Sequence, residues 1–499
     1  MKQSAHHTYI LGIGIFAAMG LTVWFLYPIL LHFTAPIHLQ DDVAYGYFLF
    51  DTNVRHIIEA DWGHIFESRM FYPIARSMTL GNNLLGQAVM GFPVYVLTQN
   101  SILAANAVMV MDYFLTFLFT YLLAYTLTGS WQGSIVAGLV FSFNPYMLSR
   151  QHQELIVFEW IPLLFLAAEK LIRKVSWQWV VVGVVAYVFC LISSFYYAYI
   201  AFLSVALYIL VRCVCDGVPV KRFLRPAIVL GVIFVFVVSV LYLWPFVQAK
   251  RQYAVQRSVA VTAQYSANIR DFFTVDPGST TWGPMFRVRP TNWYEHALFI
   301  GVTGPILFCV TVFLVWYKKF SRRDRKQIGV WLILGAVSLL ISFGPYVSIG
   351  SVRVPSLYML LYRFVPFTDA LRSPARFFLI TILALSIVIS YGWSRVERRF
   401  SRIFRLVCLV CLGVFLVFEY RYDFGPPARL DPAVISLYRQ IDTLPNVQVI
   451  LELPMGNGYT FGNPFVNRDH MEDAVYLLYA LLSSQTPGKR VSCGHTAPV

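Results

Sequence analysis

The sequence predicts an all-α polytopic membrane protein of about eleven transmembrane helices, followed by a small extracytoplasmic α/β segment. Three observations carry this. First, 58% of the 499 residues are hydrophobic and only 13% are charged, whereas soluble domains run near about 45–50% and about 25%. Second, apolar runs long enough to cross the hydrocarbon core recur along the chain, which has a mean hydropathy of +0.62. Third, Lys and Arg gather in alternate short connections, as the positive-inside rule asks of a multi-pass protein.

The apolar runs fall at about 9–31, 103–127, 132–147, 155–170, 176–194, 196–212, 226–248, 296–317, 328–346, 376–394 and 403–420. The first follows Met1 to Thr8 and shows no small-residue cleavage site, so it reads as a signal anchor. The stretch 84–97 is apolar but short, contains Pro93, and sets the parity of every later connection. With it left outside the membrane and the N-terminus cytoplasmic, four inward connections hold the basic groups Lys170 to Lys174, Arg212 to Arg225, Lys318 to Lys326 and Arg395 to Arg405. Together these contain eighteen of the thirty-nine basic residues. Counting 84–97 as a span would move all four groups to the outer face, against the rule. An interfacial or re-entrant segment there, and an external C-terminus, follow.

The larger connections then face outward: 33–102, the turn from Asn144 to Glu154, 249–295, 347–375 and the tail after Tyr420. Functional residues are expected on them. In the first, Tyr47, Phe50, Val54 and Ile57 or Ile58 recur at helical spacing, which predicts an amphipathic helix on the bilayer over Val43 to Ala60. Phe71-Tyr72-Pro73 then turns the chain. The division is a transmembrane domain over 1–420 and a tail over 421–499. In the tail, Asp431-Pro432 caps a helix to Leu444, Val447 to Leu453 is a strand, Arg468 to Leu482 is a second helix, and the end at Ala497-Pro498-Val499 reads as truncated.

Several function classes are excluded or weakened. The formal charge of +14 is explained by the basic connections, so no nucleic-acid partner is expected. Cys408 and Cys411 form a C-x-x-C inside an apolar run, which reads as packing, and the remaining cysteines suggest no disulfide framework. There is no phosphate-binding loop, H-E-x-x-H, G-x-S-x-G or dinucleotide fingerprint. No repeat of 20–50 residues and no inverted pair of broken helices stands out, which weighs against a secondary transporter.

Most candidate site residues lie on or at the edge of the outward connections. Asp41 and Asp42 follow the first span closely, and two adjacent carboxylates repel unless a cation is near. One of them is a candidate general base, and the pair is a candidate site for a divalent cation, magnesium or manganese, although no cofactor is certain. A plain N-cap role for the following helix is the simpler alternative. Arg372 and Arg376 lie four residues apart where the positive-inside rule does not ask for positive charge, and arginine forks suit a lipid phosphate; headgroup anchoring is the alternative. Glu295 is placed to partner one of these arginines or to act on substrate. Arg150, His152 and Glu154 share a turn too short to leave the bilayer surface, where they either contact substrate or snorkel. Asp112 is an ionisable residue inside a span, with Glu159 as a similar buried partner.

These features resemble the glycosyltransferases of the GT-C fold, in a little-characterised bacterial branch. The resemblance covers nearly the whole chain and rests on Asp41-Asp42 after the first span, Phe71-Tyr72-Pro73, Ala137 to Phe141 with Asn144-Pro145-Tyr146 and His152, Glu295 to Gly301, Leu371 to Phe377, and Leu451-Glu452-Leu453-Pro454. It implies transfer of a sugar, hexosyl or pentosyl, from a polyprenyl-phosphate carrier to a glycan, lipid or protein acceptor outside the cytoplasm. The implied location is the bacterial inner membrane, in work on the cell envelope. An acidic residue of the first outer loop, Asp41 or Asp42, would be catalytic, and Arg372 or Arg376 would meet the lipid phosphate. The adjacent Asp-Asp, in place of a spaced Asp-x-Asp, leaves metal dependence open. Two other readings are carried: a transporter or flippase of a lipid-linked or polar substrate, and a non-catalytic membrane assembly protein.

Overall fold

The computed structural model describes residues 2–37, 41–68, 74–151, 156–253, 258–286, 293–317, 319–349 and 352–428, with short pieces at 436, 440, 449–451 and 490–492. Its helices are α1 (Lys2–Leu31), α2 (Asp41–Ile58), α3 (Leu85–Thr98), α4 (Ser101–Thr128), α5 (Trp131–Ser142), α6 (Pro145–Leu148), α7 (Trp160–Arg173), α8 (Trp177–Ser193) and α9 (Phe195–Asp216). They continue with α10 (Pro226–Gln252), α11 (Val259–Gln264), α12 (Trp293–His296), α13 (Thr303–Trp316), α14 (Arg322–Ser342), α15 (Leu357–Phe364), α16 (Phe378–Arg399) and α17 (Arg402–Glu419). By length and composition, six of them can cross a membrane: α1, α4, α9, α10, α14 and the helical stretch containing α16. A multi-pass membrane protein follows. Each of the eleven predicted runs contains a helix, but several are shorter than a full span.

The differences have local causes. The run at 132–147 is split because Asn144 accepts the Met147 N–H at 3.2 Å and Pro145 takes the first helical position, so α6 starts afresh. The run expected from 296 begins its helix only at Thr303. Gly301 stands at φ +87°, and a Cβ there would lie 2.7 Å from the Tyr420 ring. The Glu419 carboxylate accepts the N–H groups of Val302 at 2.5 Å and Thr303 at 3.2 Å, satisfying donors that a new helix leaves open.

The first loop departs from expectation too. The apolar face of α2 does not lie on the bilayer: Val43, Tyr47, Phe50 and Val54 are buried with Ala88 and Tyr95 of α3 and with Ile102, Ala105 and Val108 of α4. The stretch 84–97 is itself helical, as α3. An unpredicted hairpin pairs Tyr346–Ile349 (β1) with Val352–Pro355 (β2). In the tail, Val449–Leu451 (β3) forms part of the predicted strand and pairs in parallel with Arg490–Ser492 (β4); the predicted tail helices lie essentially outside the described residues.

α16 is central: nearly all of its residues from Phe378 to Ser394 are buried, whereas α10 is largely exposed and its Phe236, Leu241 and Trp244 point outward as lipid-facing residues do. Small residues set the helix spacing. A Cβ on Gly133 of α5 would meet the Ser390 carbonyl oxygen of α16 at 2.7 Å, so only glycine permits this approach. At one end of the bundle, Glu169 of α7 accepts from Arg173 at 2.7 Å and from Tyr208 of α9 at 2.7 Å, and pairs with Arg212. Gln327 of α14 bridges Arg212 at 2.8 Å and Asp216 at 2.9 Å. Arg398 reaches Asp324 at 3.4 Å. The four basic connections therefore meet at the same end.

Glu169 is 1% exposed, and its loss takes one of two carboxylates from the buried Arg212, leaving Asp216 at 2.6 Å. Glu169→Gln is expected to lower stability by about 3 kcal/mol, and Tyr208→Phe, which removes one hydrogen bond, by about 1 kcal/mol. Thermal unfolding in lipid nanodiscs measures both; equal effects would contradict the ranking.

Candidate functional site

At the other end of the bundle, three chain segments meet on one carboxylate. The first is the turn after α6. The Tyr113 hydroxyl of α4 donates to the Met147 carbonyl at 2.8 Å, which holds this turn against the bundle and presents Arg150. The second is α12, which carries Glu295. The third is the turn Pro374–Phe377 that leads into α16, where Pro374 starts a helical turn and Arg376 follows.

Glu295 is 5% exposed. Its Oε1 accepts from Arg376 Nη2 at 2.6 Å and Nε at 3.0 Å, and its Oε2 accepts from the Ser373 hydroxyl at 2.8 Å. Arg150 Nη1 stands 3.7 Å from Oε2. Burial alone would raise the Glu295 carboxyl, but Arg376, Arg150 and the hydrogen bonds outweigh it and hold the group down to about 2. Arg150 and Arg376 also stack over the Tyr146 and Tyr196 rings, at 4.4 and 4.7 Å. Among the described residues, Arg150 Nε and Nη2 have no hydrogen-bond partner.

Beside this cluster lies a cavity of about 360 Å³. Arg372, Arg376 and Lys250 stand in its wall, Tyr45, Thr79 and Asn82 line a neutral polar side, and Phe195, Tyr199, Phe202 and Phe246 supply aromatic surface. Phe202 is 56% exposed. Two of the three cations are already matched, Arg376 by Glu295 and Lys250 by Asp369. Arg372 stacks on the Tyr265 ring at 4.6 Å, its backbone N–H donates to the Tyr196 hydroxyl, and among the described residues no carboxylate pairs with it. Among the described residues it is the cation of this wall without a carboxylate partner.

The predicted residues thus separate. Arg150, Glu295 and Arg376 form one cluster, and Arg372 and Arg376 share the cavity. Asp41 and Asp42 begin α2, one helical turn before the lining residue Tyr45; their side chains, like His152 and Glu154, lie outside the described residues. Among the described residues no three His, Cys, Asp or Glu side chains gather as a metal-binding group. Asp112 and Glu159 stand elsewhere, inside the bundle at 2% and 0% exposure. They interact electrostatically, and Asp112 Oδ1 and both Glu159 carboxylate oxygens have no hydrogen-bond partner among the described residues. Lys250 was not among the predicted residues, although it carries the signal that picked out the arginines: positive charge at the predicted outer end of an apolar run.

Glu295→Gln is expected to cost about 3–5 kcal/mol, because Arg376 and Arg150 lose their counter-charge while buried. The carboxylate's contribution is present above its ordinary pKa and lost as pH falls through the folded-state value near 2. Acid titration of wild type should show this loss, and the variant should not; coincident acid limbs would contradict it.

No curated protein matches the chain. Among solved structures, ArnT from Cupriavidus metallidurans in the apo state aligns with a TM-score of 0.43 and 13% identity, over 82% of this chain and 64% of that one. The oligosaccharyltransferase of Archaeoglobus fulgidus in the apo form aligns at 0.44 and 13% identity, over 98% and 65%. The same organism's AglB, in complex with an inhibitory peptide and a dolichol-phosphate, aligns at 0.44 and 14% identity, over 94% and 64%. The chain spans less than two thirds of the length of each. A family model matches residues 87–417, and the chain belongs to that family, the domain of unknown function DUF6311.

Proposed function

We propose that the chain is a membrane glycosyltransferase that moves a sugar from a polyprenyl-phosphate donor to an acceptor outside the cytoplasm. The observation that carries this reading is the amphipathic cavity, with Arg372, Arg376 and Lys250 in one wall and aromatic side chains in another. Such a cavity suits an anionic headgroup on an apolar tail, since guanidinium forks match phosphate and the aromatic wall accepts hydrocarbon. The fuller reading has eleven spans in a bacterial inner membrane, a cytoplasmic N-terminus and an extracytoplasmic C-terminus.

In the proposed reaction the acceptor hydroxyl gives its proton to Asp42 or Asp41 and its oxygen attacks the anomeric carbon with inversion. The bond from that carbon to the phosphate oxygen breaks, and its electron pair leaves with the polyprenyl phosphate. The extra negative charge on the phosphate falls to Arg372 first, with Arg376 and Lys250 beside it. A divalent cation on Asp41 and Asp42 would assist by holding the phosphate.

A transporter or flippase is the second reading, and the unpartnered carboxyl oxygens of Asp112 and Glu159 inside the bundle favour it. Asp41→Asn and Asp42→Asn, singly and together, decide between the two in cells lacking the native gene. Loss of the glycan product in the double variant is expected, together with a fall of about 100-fold or more in rate for the variant of the true base. An unchanged product sinks the proposed mechanism. Movement of a lipid-linked substrate across sealed vesicles, insensitive to both substitutions, establishes the transporter instead. Arg372→Gln is expected to weaken retention of the lipid phosphate, whereas an unaltered affinity removes Arg372 from the site.

A further inference from the structure

His296 follows Glu295 and faces an acceptor on each ring nitrogen. Its Nδ1 lies 2.7 Å from Asp271 Oδ2, and its Nε2 lies 3.0 Å from the Gln264 carbonyl oxygen. A backbone carbonyl only accepts, and Asp271 Oδ2 already accepts the Asn268 N–H at 2.7 Å. Both ring nitrogens must therefore donate, which is the doubly protonated imidazolium. The His296 side chain is 16% exposed and that of Asp271 9%, so solvent screens the pair weakly. Among the described residues, the charged groups facing the ring are Asp271 and Glu295.

The sequence neighbours of this contact hold the cavity's two arginines. Glu295, immediately before His296, holds Arg376. Tyr265, immediately after Gln264, carries Arg372 on its ring. The Tyr265 carbonyl also accepts from the Ala375 N–H at 3.4 Å and lies 3.2 Å from the Ser373 oxygen, whose proton goes to Glu295. One imidazolium thus joins the two segments on which Arg372 and Arg376 rest.

We propose that Asp271 and His296 are positioning residues: their ion pair, with the bond to Gln264, holds Glu295 and Tyr265, and through them Arg376 and Arg372, in the cavity wall. The hold lasts while the imidazole keeps both protons. The hydrogen bond to Asp271 raises His296 above the ordinary histidine value, against the lowering effect of burial. The contribution is therefore complete below the ordinary value of about 6.5 and disappears as pH rises through the raised one. Its consequence for ligand binding rests on the proposed function; the positioning itself does not.

Hydrogen–deuterium exchange of the full chain in lipid nanodiscs, from about pH 5.5 to about pH 9 and corrected for intrinsic exchange, tests the positioning. In wild type, peptides spanning 263–267 and 295–300 should lose about tenfold protection as the pH rises. In His296→Gln, which keeps a donor but no charge, protection should be low at every pH, and Asp271→Asn should move the transition to lower pH. Peptides of α16 should stay protected throughout. Equal profiles in wild type and His296→Gln overturn the proposal, as does loss of α16 protection in that variant, which would mean a fold-wide role. Binding of dihexyl phosphate, a phosphodiester of constant charge over this range, is measured on the same samples. It should weaken about tenfold across the wild-type transition. Affinity that ignores the transition overturns the hold on the arginines. Absence of binding at every pH, with the exchange transition present, overturns the phosphate reading of the cavity and leaves the positioning established.

Discussion

Glu295 has partners from two distant parts of the chain, and burial makes each of them costly to lose. A carboxylate removed from water needs opposite charge and donors around it, and Arg376, Ser373 and Arg150 supply them. The resulting cluster joins the turn after α6, the segment before α13 and the entry to the central helix α16. Because Arg376 also stands in the cavity wall, the same charge balance that closes this end of the bundle shapes its cavity.

The two ends of the bundle solve the buried-charge problem differently. Around Glu169, the side chains of Arg173, Tyr208, Arg212, Asp216 and Gln327 match one another across α7, α9 and α14, a network suited to fixing helix positions. At the Glu295 end the balance is incomplete: Arg372 has no carboxylate partner among the described residues, and two nitrogens of Arg150 lack hydrogen-bond partners. Surplus positive charge next to an aromatic cavity attracts an anion with an apolar portion.

Asp112 and Glu159 are a second focus. Carboxyl groups this deep in a helix bundle are expensive to leave without partners, and no part of the proposed transfer uses them. They make substrate or ion movement the strongest competitor to chemistry at the cavity.

Much of the helical framework is legible in the sequence. Apolar run length and the positions of Lys170 to Lys174, Arg212 to Arg225, Lys318 to Lys326 and Arg395 to Arg405 locate a helix in each predicted run, and the structure brings these basic connections to one end. Run length and charge are properties of the chain itself, so they survive without tertiary information. The break before α13 and the burial of α2 were not legible, because they depend on what Tyr420, Glu419, α3 and α4 place beside them. For the same reason the sequence by itself marked Glu295, Arg372 and Arg376 as polar groups at a membrane edge but did not assign their partners. Only the tertiary structure decided that Glu295 takes Arg376 and leaves Arg372 to the cavity, since pairing between residues far apart in the chain is set by packing distance and not by spacing along it.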